Sequence, residues 1–418
     1  MRTYCPSHKV TIKDMRTGSV KHDLTSDLIT IVTSKTNGRA FGSWQITATY
    51  RSSLNTIIAP NDVVLIELDA GDGSGLRPVM LGLVDRVARF QTVVNGDQPR
   101  RVWKISGRDM GKLLADIDLG WDISGLEARI NFNSLVDASV NRIFLQSGTP
   151  AELVKRLFSL FSTQTKDAYY TQYIDADWID SDDTWTLFDP YLAVTRNTPA
   201  WSAMKRVANE PWNRLFTETD QKGKFHLGLE RQPIKGNGKL NPRTFYTIDY
   251  RDIVAEDLGV SDDSHVNLLA HWPANYQTVA NRQLDVILTH PGLTKHNGAS
   301  VTAAGVKPHV IDTPFVPKNF YLDDDPVGQG VDEAIERAEI YWNWYRDNHT
   351  YESGSIVTHG WPEVRCGNGL LTGTTKMEYL IEQVQHSYSV WPQPLFITTL
   401  HLTRGQQHGP ASLRSVSI

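Results

Sequence analysis

Residues 1–115 carry apolar positions mainly at every second residue, the spacing of strands with one buried face. Val63, Leu65 and Glu67 alternate with Val64, Ile66 and Leu68, so one face is wholly apolar and the other ends in a charge. That run leads into Asp69-Ala70-Gly71-Asp72-Gly73-Ser74-Gly75, whose glycines supply the positive φ of a hairpin tip. Asn95-Gly96 marks another hairpin before the strand Arg101–Ser106, and Asp109–Leu114 reads as one short helix closing the module.

The period then changes. Thr149-Pro150-Ala151-Glu152 is a strong helix start, because Thr and Glu can satisfy each other's end amides while Pro needs no donor. Behind it Leu153, Leu157, Leu160 and Phe161 fall on one face. A second helix opens at Thr198-Pro199, buries Trp201, Met204 and Val207, and must stop before Pro211. Between the two helices, residues 171–190 hold six Asp and no Lys or Arg, and read as one long exposed loop. Residues 211–250 and 351–404 resume the strand pattern, so 251–350 reads as an insertion. It has Asp-rich turns at Asp262 and Asp263 and a Gly/Pro/Thr-rich stretch around 289–330. Its helix runs from about Val331 to Asn348, with Ala334, Ala338, Trp342 and Tyr345 on one stripe.

The strand-rich pattern is written twice. Val10–Asp14 and Ser19–Val20 flank a turn, as Leu215–Thr219 and Lys224–Leu229 do later. Pro60-Asn61-Asp62-Val63 is answered by Pro362-Glu363-Val364, and Val84-Asp85-Arg86-Val87 by Ile381-Glu382-Gln383-Val384. Ser106-Gly107-Arg108 is answered by Thr403-Arg404-Gly405. No single match is specific, but four in the same order argue for an internal duplication.

At 418 residues the chain exceeds the roughly 250–300 residues at which one core stops growing, so several domains are expected. With 40% hydrophobic and 21% charged residues it reads as a globular protein. The stretch Met1–Pro6 does not resemble a signal peptide, and no apolar run approaches the ~18 residues of a membrane span. A net charge of −5 offers no basic footprint for sequence-specific nucleic-acid binding. Cys5 and Cys366 make neither a disulfide framework nor a metal set. They read as reduced thiols, buried or nearly so, with a bridge between the modules left open.

No catalytic, cofactor-binding or metal site is assigned. The Asp cluster at 175–183 lacks the spacing and central Gly of a calcium loop, and a solvated acidic loop is preferred. The two carboxylates of Asp69–Gly75 fit a hairpin tip better than an ion site. Among thirteen histidines, the pairs His265/His271 and His290/His296 share neither a helical nor a strand face, so no zinc motif results. There is no Gly-x-Ser-x-Gly, Walker loop or Gly-x-Gly-x-x-Gly after a strand. Trp201, Trp342 and Trp344 sit in helical stripes, where packing is favoured over sugar binding.

Several segments, spread over most of the chain, resemble the baseplate hub proteins of tailed bacteriophages. These include the contractile-tail hub, the late-control type and the hub-like half of type VI secretion spikes. The segments are Asp62–Asp69, Leu81–Val87, Val102–Leu114, Trp201–Phe216 ahead of Gly223-Lys224-Phe225, Ile248–Leu258, Tyr379–Val384 and Thr398–Gly405. The resemblance implies an α+β, β-dominated fold with two tail-tube-like β-barrels in one chain. The expected division is a first barrel at 1–115, a helical connector with the acidic loop at 116–210, and a discontinuous second barrel at 211–250 and 351–405. An inserted subdomain occupies 251–350, and 406–418 forms a flexible tail.

The resemblance further implies a non-enzymatic virion protein of the phage tail baseplate, made in the host cytoplasm. Three chains would place six barrels in a ring, joining a hexameric tail tube to a trimeric central spike around a channel. Implied partners are the tail tube, spike, tape-measure and wedge proteins, with no cofactor. The room after residue 405 fits no spike, lytic domain or fibre, which are expected on other chains. Two other classes compete: a receptor- or carbohydrate-binding tail-tip protein, told apart by glycan-dependent adsorption, and a tail-associated cell-wall hydrolase, told apart by clearing of peptidoglycan.

Overall fold

The computed structural model describes residues 5–92, 100–119, 136–137, 142–143, 147–164, 173–187, 198–273, 291–317, 329–373 and 375–407. The first two stretches form β1 (Ser7–Lys13), β2 (Val20–Asp23), β3 (Leu28–Thr36), β4 (Ser43–Thr49), β5 (Val63–Asp69), β6 (Arg77–Thr92) and β7 (Arg100–Asp109). Along β5, Val64, Ile66 and Leu68 are fully buried on one face; on the other, Leu65 and Glu67 are half-buried and Val63 is fully buried. Asp69–Gly75 forms the tip between β5 and β6, with Gly71, Gly73 and Gly75 at positive φ. Trp44 of β4 lies across β6 and β7. A Cβ at Gly107 would stand 1.9 Å from the Leu83 carbonyl and 2.6 Å from the Trp44 ring, so this strand needs glycine there. A short helix, Gly111–Asp116, follows β7 as the sequence predicts. Asn95-Gly96 lies outside the described residues.

Next comes α1 (Pro150–Gln164), with Leu153, Leu157 and Phe161 buried. Its start is the reciprocal cap predicted from sequence. The Thr149 amide donates to Glu152 Oε2 at 3.1 Å, and the Glu152 amide donates to Thr149 Oγ1 at 3.4 Å. Replacing Thr149 with Ala removes one acceptor for an end amide. We expect a loss of about 1 kcal/mol, read as a lower urea midpoint with an unchanged denaturant slope.

Then follow β8 (Ile174–Ile179), α2 (Ala200–Arg206), β9 (Asn213–Thr219) and β10 (Phe225–Arg231). β9 and β10 form a hairpin, and β8 lies parallel to β10 to make a separate three-stranded sheet. This corrects the sequence reading, which pairs the 215–229 hairpin with the 10–20 hairpin as a repeated device of the second barrel. A hairpin signal is local, whereas the sheet that receives it is chosen by long-range pairing. Here part of the acidic stretch supplies the partner strand.

The chain continues through β11 (Phe245–Ile248) and β12 (Ile253–Gly259), then β13 (Leu268–Pro273), β14 (Thr294–His296) and β15 (Pro308–Thr313) in a small sheet of their own. The helix α3 (Gln329–Tyr345) buries Ala334, Ala338 and Trp342, as its stripe predicts. β16 (Glu352–His359), β17 (Gly369–Thr372), β18 (Met377–Ser389) and β19 (Leu395–Gln407) complete the described chain.

The fold is β-dominated α+β, and its main sheet has thirteen strands. Its path runs β12-β16-β19-β18-β3-β4-β7-β6-β5-β1-β2, with β17 on the flank of β18 and β11 on β17. The path contains one arrangement twice: β3-β4-β7-β6-β5-β1 and β12-β16-β19-β18-β17-β11. Even the irregularities repeat. Bulges interrupt β3 between Leu28 and Thr30 and β12 between Ile253 and Ala255. Others interrupt β6 between Val84 and Arg86 and β18 between Ile381 and Gln383. Ahead of β5, Asn61 (φ 68°) donates its amide to Val84 O; ahead of β17, Gly367 (φ 76°) donates to Ile381 O.

These correspondences adjust the sequence matches. Val84–Val87 with Ile381–Val384 is in true register. Asn61 answers Gly367 rather than the Pro362 segment, and Arg108 answers Thr403. β12 belongs to the main sheet, not to the inserted stretch, and of 211–250 only β11 joins that sheet. One difference between the copies is real: β1 runs antiparallel to β5, whereas β11 runs parallel to β17.

Candidate assembly interface

The two copies meet where β3 lies antiparallel beside β18, in register from Thr30 opposite Ser389 to Thr36 opposite Gln383. The Val390 amide donates to Ile29 O (3.0 Å) and the Asn37 amide to Glu382 O (2.8 Å), lengthening the seam at both ends. Tyr388 and Phe396, from the second copy, are buried in the core of the first with Ile31, Ile46 and Trp103. Backbone pairing and shared apolar burial therefore make one body of the two modules.

Three buried or half-buried cations brace the seam. Lys35 of β3 donates to Asp109 Oδ2 and to Thr217 Oγ1, each at 2.6 Å. Asp109 also accepts from the Gly42 and Gly111 amides. Burial pushes the Asp109 carboxyl up from its ordinary range, while Lys35 and the two amides pull it back. Arg214 is paired with Glu230 and donates to Asn37 Oδ1 (2.9 Å). Gly367 makes room for it: a Cβ there would stand 1.3 Å from an Arg214 nitrogen. Arg365 donates to Pro78 O (2.8 Å) in the first module and Thr219 O (3.2 Å) in the three-stranded sheet, and lies 3.4 Å from Glu218. Each clamp ties elements far apart in sequence, so none is visible as a motif. The one sequence hint is Asp109 itself, which follows the repeated strand end.

At the crossing, Thr33, Lys35, Glu218, Arg365, Cys366 and His386 line a cavity of about 30 Å³. That is far below the few hundred Å³ of a substrate pocket. His386 is buried against Phe396, with Nδ1 3.0 Å from Thr398 Oγ1, and burial pushes its imidazole down to about 3.

The acidic stretch is not the exposed loop expected from sequence. Asp175 and Asp177 lie on β8, Lys224 pairs with Asp175, and Asp183 is buried with Arg337. Asp177, Asp180 and Asp182 remain exposed, whereas Asp175 is half-buried. Among the described residues no three His, Cys, Asp or Glu side chains are grouped to hold a metal ion. His265 stacks on His349, His271 is buried beside Trp185, and His290 lies outside the described residues. Both thiols are free: Cys5 is exposed, against expectation, and burial pushes partly buried Cys366 up to about 11. Trp201, Trp342 and Trp344 are buried packing residues. No helix among the described residues is long and apolar enough to cross a membrane.

No protein-family model and no curated protein sequence matches the chain. Solved structures do match its architecture over nearly its whole length. The tail protein from Neisseria meningitidis MC58 aligns with a TM-score of 0.51 at 11% identity, covering 96% of this chain and 97% of that one. The 43 kDa tail protein of prophage MuSo2 from Shewanella oneidensis aligns at 0.52 and 11% identity, covering 95% and 98%. This chain has the fold of phage tail proteins. A prophage tail protein from Listeria monocytogenes gives 0.50 at 10% identity, with 95% of each chain covered. The phage-tail fold thus includes both copies of the duplicated arrangement and the elements between them.

Proposed function

We propose that the protein is a structural component of a phage tail: a baseplate hub in which three copies form a ring of six modules. Such a ring offers six similar surfaces to a hexameric tail tube and three to a trimeric central spike, with a channel through the middle. The observation that carries this reading is the continuous sheet across β3 and β18. It joins two modules of one strand order side by side, the geometry of neighbours in a ring. Unequal surroundings of the two modules supply the threefold character. The elements between 260 and 351 are inserted in the second module, between β12 and β16, where the first has only the short connection between β3 and β4. The formal charge of −5 supports a lining to which DNA adheres weakly, through like-charge repulsion.

Light scattering on the purified chain should give three times 47.0 kDa, and electron microscopy should give a threefold ring with six lobes. Co-purification with the tube and spike proteins should follow. A chain that stays monomeric and joins neither would overturn the hub reading.

A further inference from the structure

In a ring of these modules, every second seam is the one inside the chain, and the others lie between chains. The internal seam uses β3 and the part of β18 beyond its bulge. Their counterparts, through the repeated pairings and bulges, are β12 and the part of β6 beyond its bulge. Among the described residues both counterparts are open edges. β12 pairs only with β16 among the described residues, and β6 beyond Arg86 pairs only with β7. An unpaired strand edge is a template for another strand.

We infer that β12 of one copy adds to β6 of the next, antiparallel, in the register of the internal seam. Transfer of that register sets Glu256 opposite Gln91, Asp257 opposite Phe90, Leu258 opposite Arg89, Gly259 opposite Ala88 and Val260 opposite Val87. This rests on the hub reading and names the partner surface: a second copy of this chain.

The side chains fit that occupant. Arg86 and Arg89 are exposed on the β6 edge; Glu256 and Asp257 are exposed on the β12 edge; none of the four has an ion pair among the described residues. Glu256 sits diagonally from Arg89 on the same face, within reach of a long side chain. Phe90 is 44% exposed beneath Lys104, whose Nζ lies 4.3 Å from the ring centre, so Asp257 would meet a positive end. Val260, 64% exposed, would be covered by Val87. The pairing of two different edges is head-to-tail, so it gives no twofold dimer, and it closes into a ring when the rotation per copy is the threefold of the hub reading.

The test uses the full chain in a Cys5→Ser background, since Cys5 is exposed. Ala88→Cys with Gly259→Cys should give disulfide-linked species up to a covalent ring under oxidation. The offset pair Ala88→Cys with Leu258→Cys should cross-link far less. Arg89→Glu and Glu256→Arg should each weaken association about tenfold per seam, and the double reversal should restore it, which excludes misfolding as the cause. A trimer that persists in both single reversals and fails to cross-link at 88/259 would overturn the edge assignment while leaving the hub reading intact. A monomer at every concentration would overturn both.

Discussion

Arg337→Ala is expected to destabilise the protein by about 3–5 kcal/mol, the largest loss from any single substitution considered. Arg337 lies on α3, its guanidinium 3.7 Å from the centre of the Trp185 ring and 4.2 Å from that of Trp212. Its partner Asp183 has no exposed side-chain surface and also accepts from Asn209 (2.7 Å), Asn213 (3.0 Å) and the Trp185 amide (3.1 Å). Removing the cation leaves a buried carboxylate held only by neutral donors and opens the gap between two indoles. The site matters beyond its own energy, because it unites the stretch after β8, the approach to β9 and the helix before β16. Arg337→Lys should recover only part of the loss, since an ammonium cannot stack between the rings or present a planar fork. Asp183→Asn should cost a comparable amount by stranding Arg337, and the double variant should cost less than the sum. Urea unfolding followed by tryptophan fluorescence, at fixed protein concentration, measures all of these. A loss below about 1 kcal/mol for Arg337→Ala would mean that the pair is solvated in the working state.

What the sequence made legible is what local chemistry decides. The alternation of β5, the cap at Thr149 and Glu152, the stripe of α3 and the glycine-rich tip at 69–75 each depend on residues within a few positions of one another. The duplication was legible where it coincides with a bulge, because Asp85 and Glu382 stand at the same interruption of equivalent strands. It is misleading where the device is common: any turn between two short strands resembles 10–20, and the 215–229 hairpin lies in a different sheet from the one its pattern suggests. The clamps were not legible at all. Lys35 is 182 residues from Thr217 and Arg365 is 287 from Pro78, so nothing local marks either pair. Asp183 was hidden by its neighbours, since a run of Asp reads as solvated until one of them proves to have an arginine buried beside it.

Acidification below neutrality is expected to weaken the seam through His386. In the folded chain its imidazole is pushed down to about 3, by burial first and by the nearby Arg365 second. The ordinary value is about 6.5. Between those two values the unfolded chain binds a proton that the fold refuses, so stability falls as pH falls; above 6.5 the residue contributes no slope. The cost is roughly 1.4 kcal/mol per pH unit, or about 2–3 kcal/mol at pH 4.5. His271, pushed down to about 4 by burial beside α3, acts in the same direction over a shorter window. Asp109 and Glu218, which line the same cavity as His386, are pushed upward by burial and act oppositely: the fold takes up their protons before the unfolded chain does. The net profile mixes both signs, so the decisive comparison is with a variant. His386→Gln keeps a polar group beside Thr398 and cannot titrate. Relative to it, the parent chain should lose about 2–3 kcal/mol more stability between pH 7 and pH 4.5, read from urea midpoints at each pH. Parallel profiles for the two proteins would place the proton elsewhere. A divergence confined to the range below 6.5 would tie the acid sensitivity to the strand pairing between β3 and β18, where His386 faces Thr33 across the ladder.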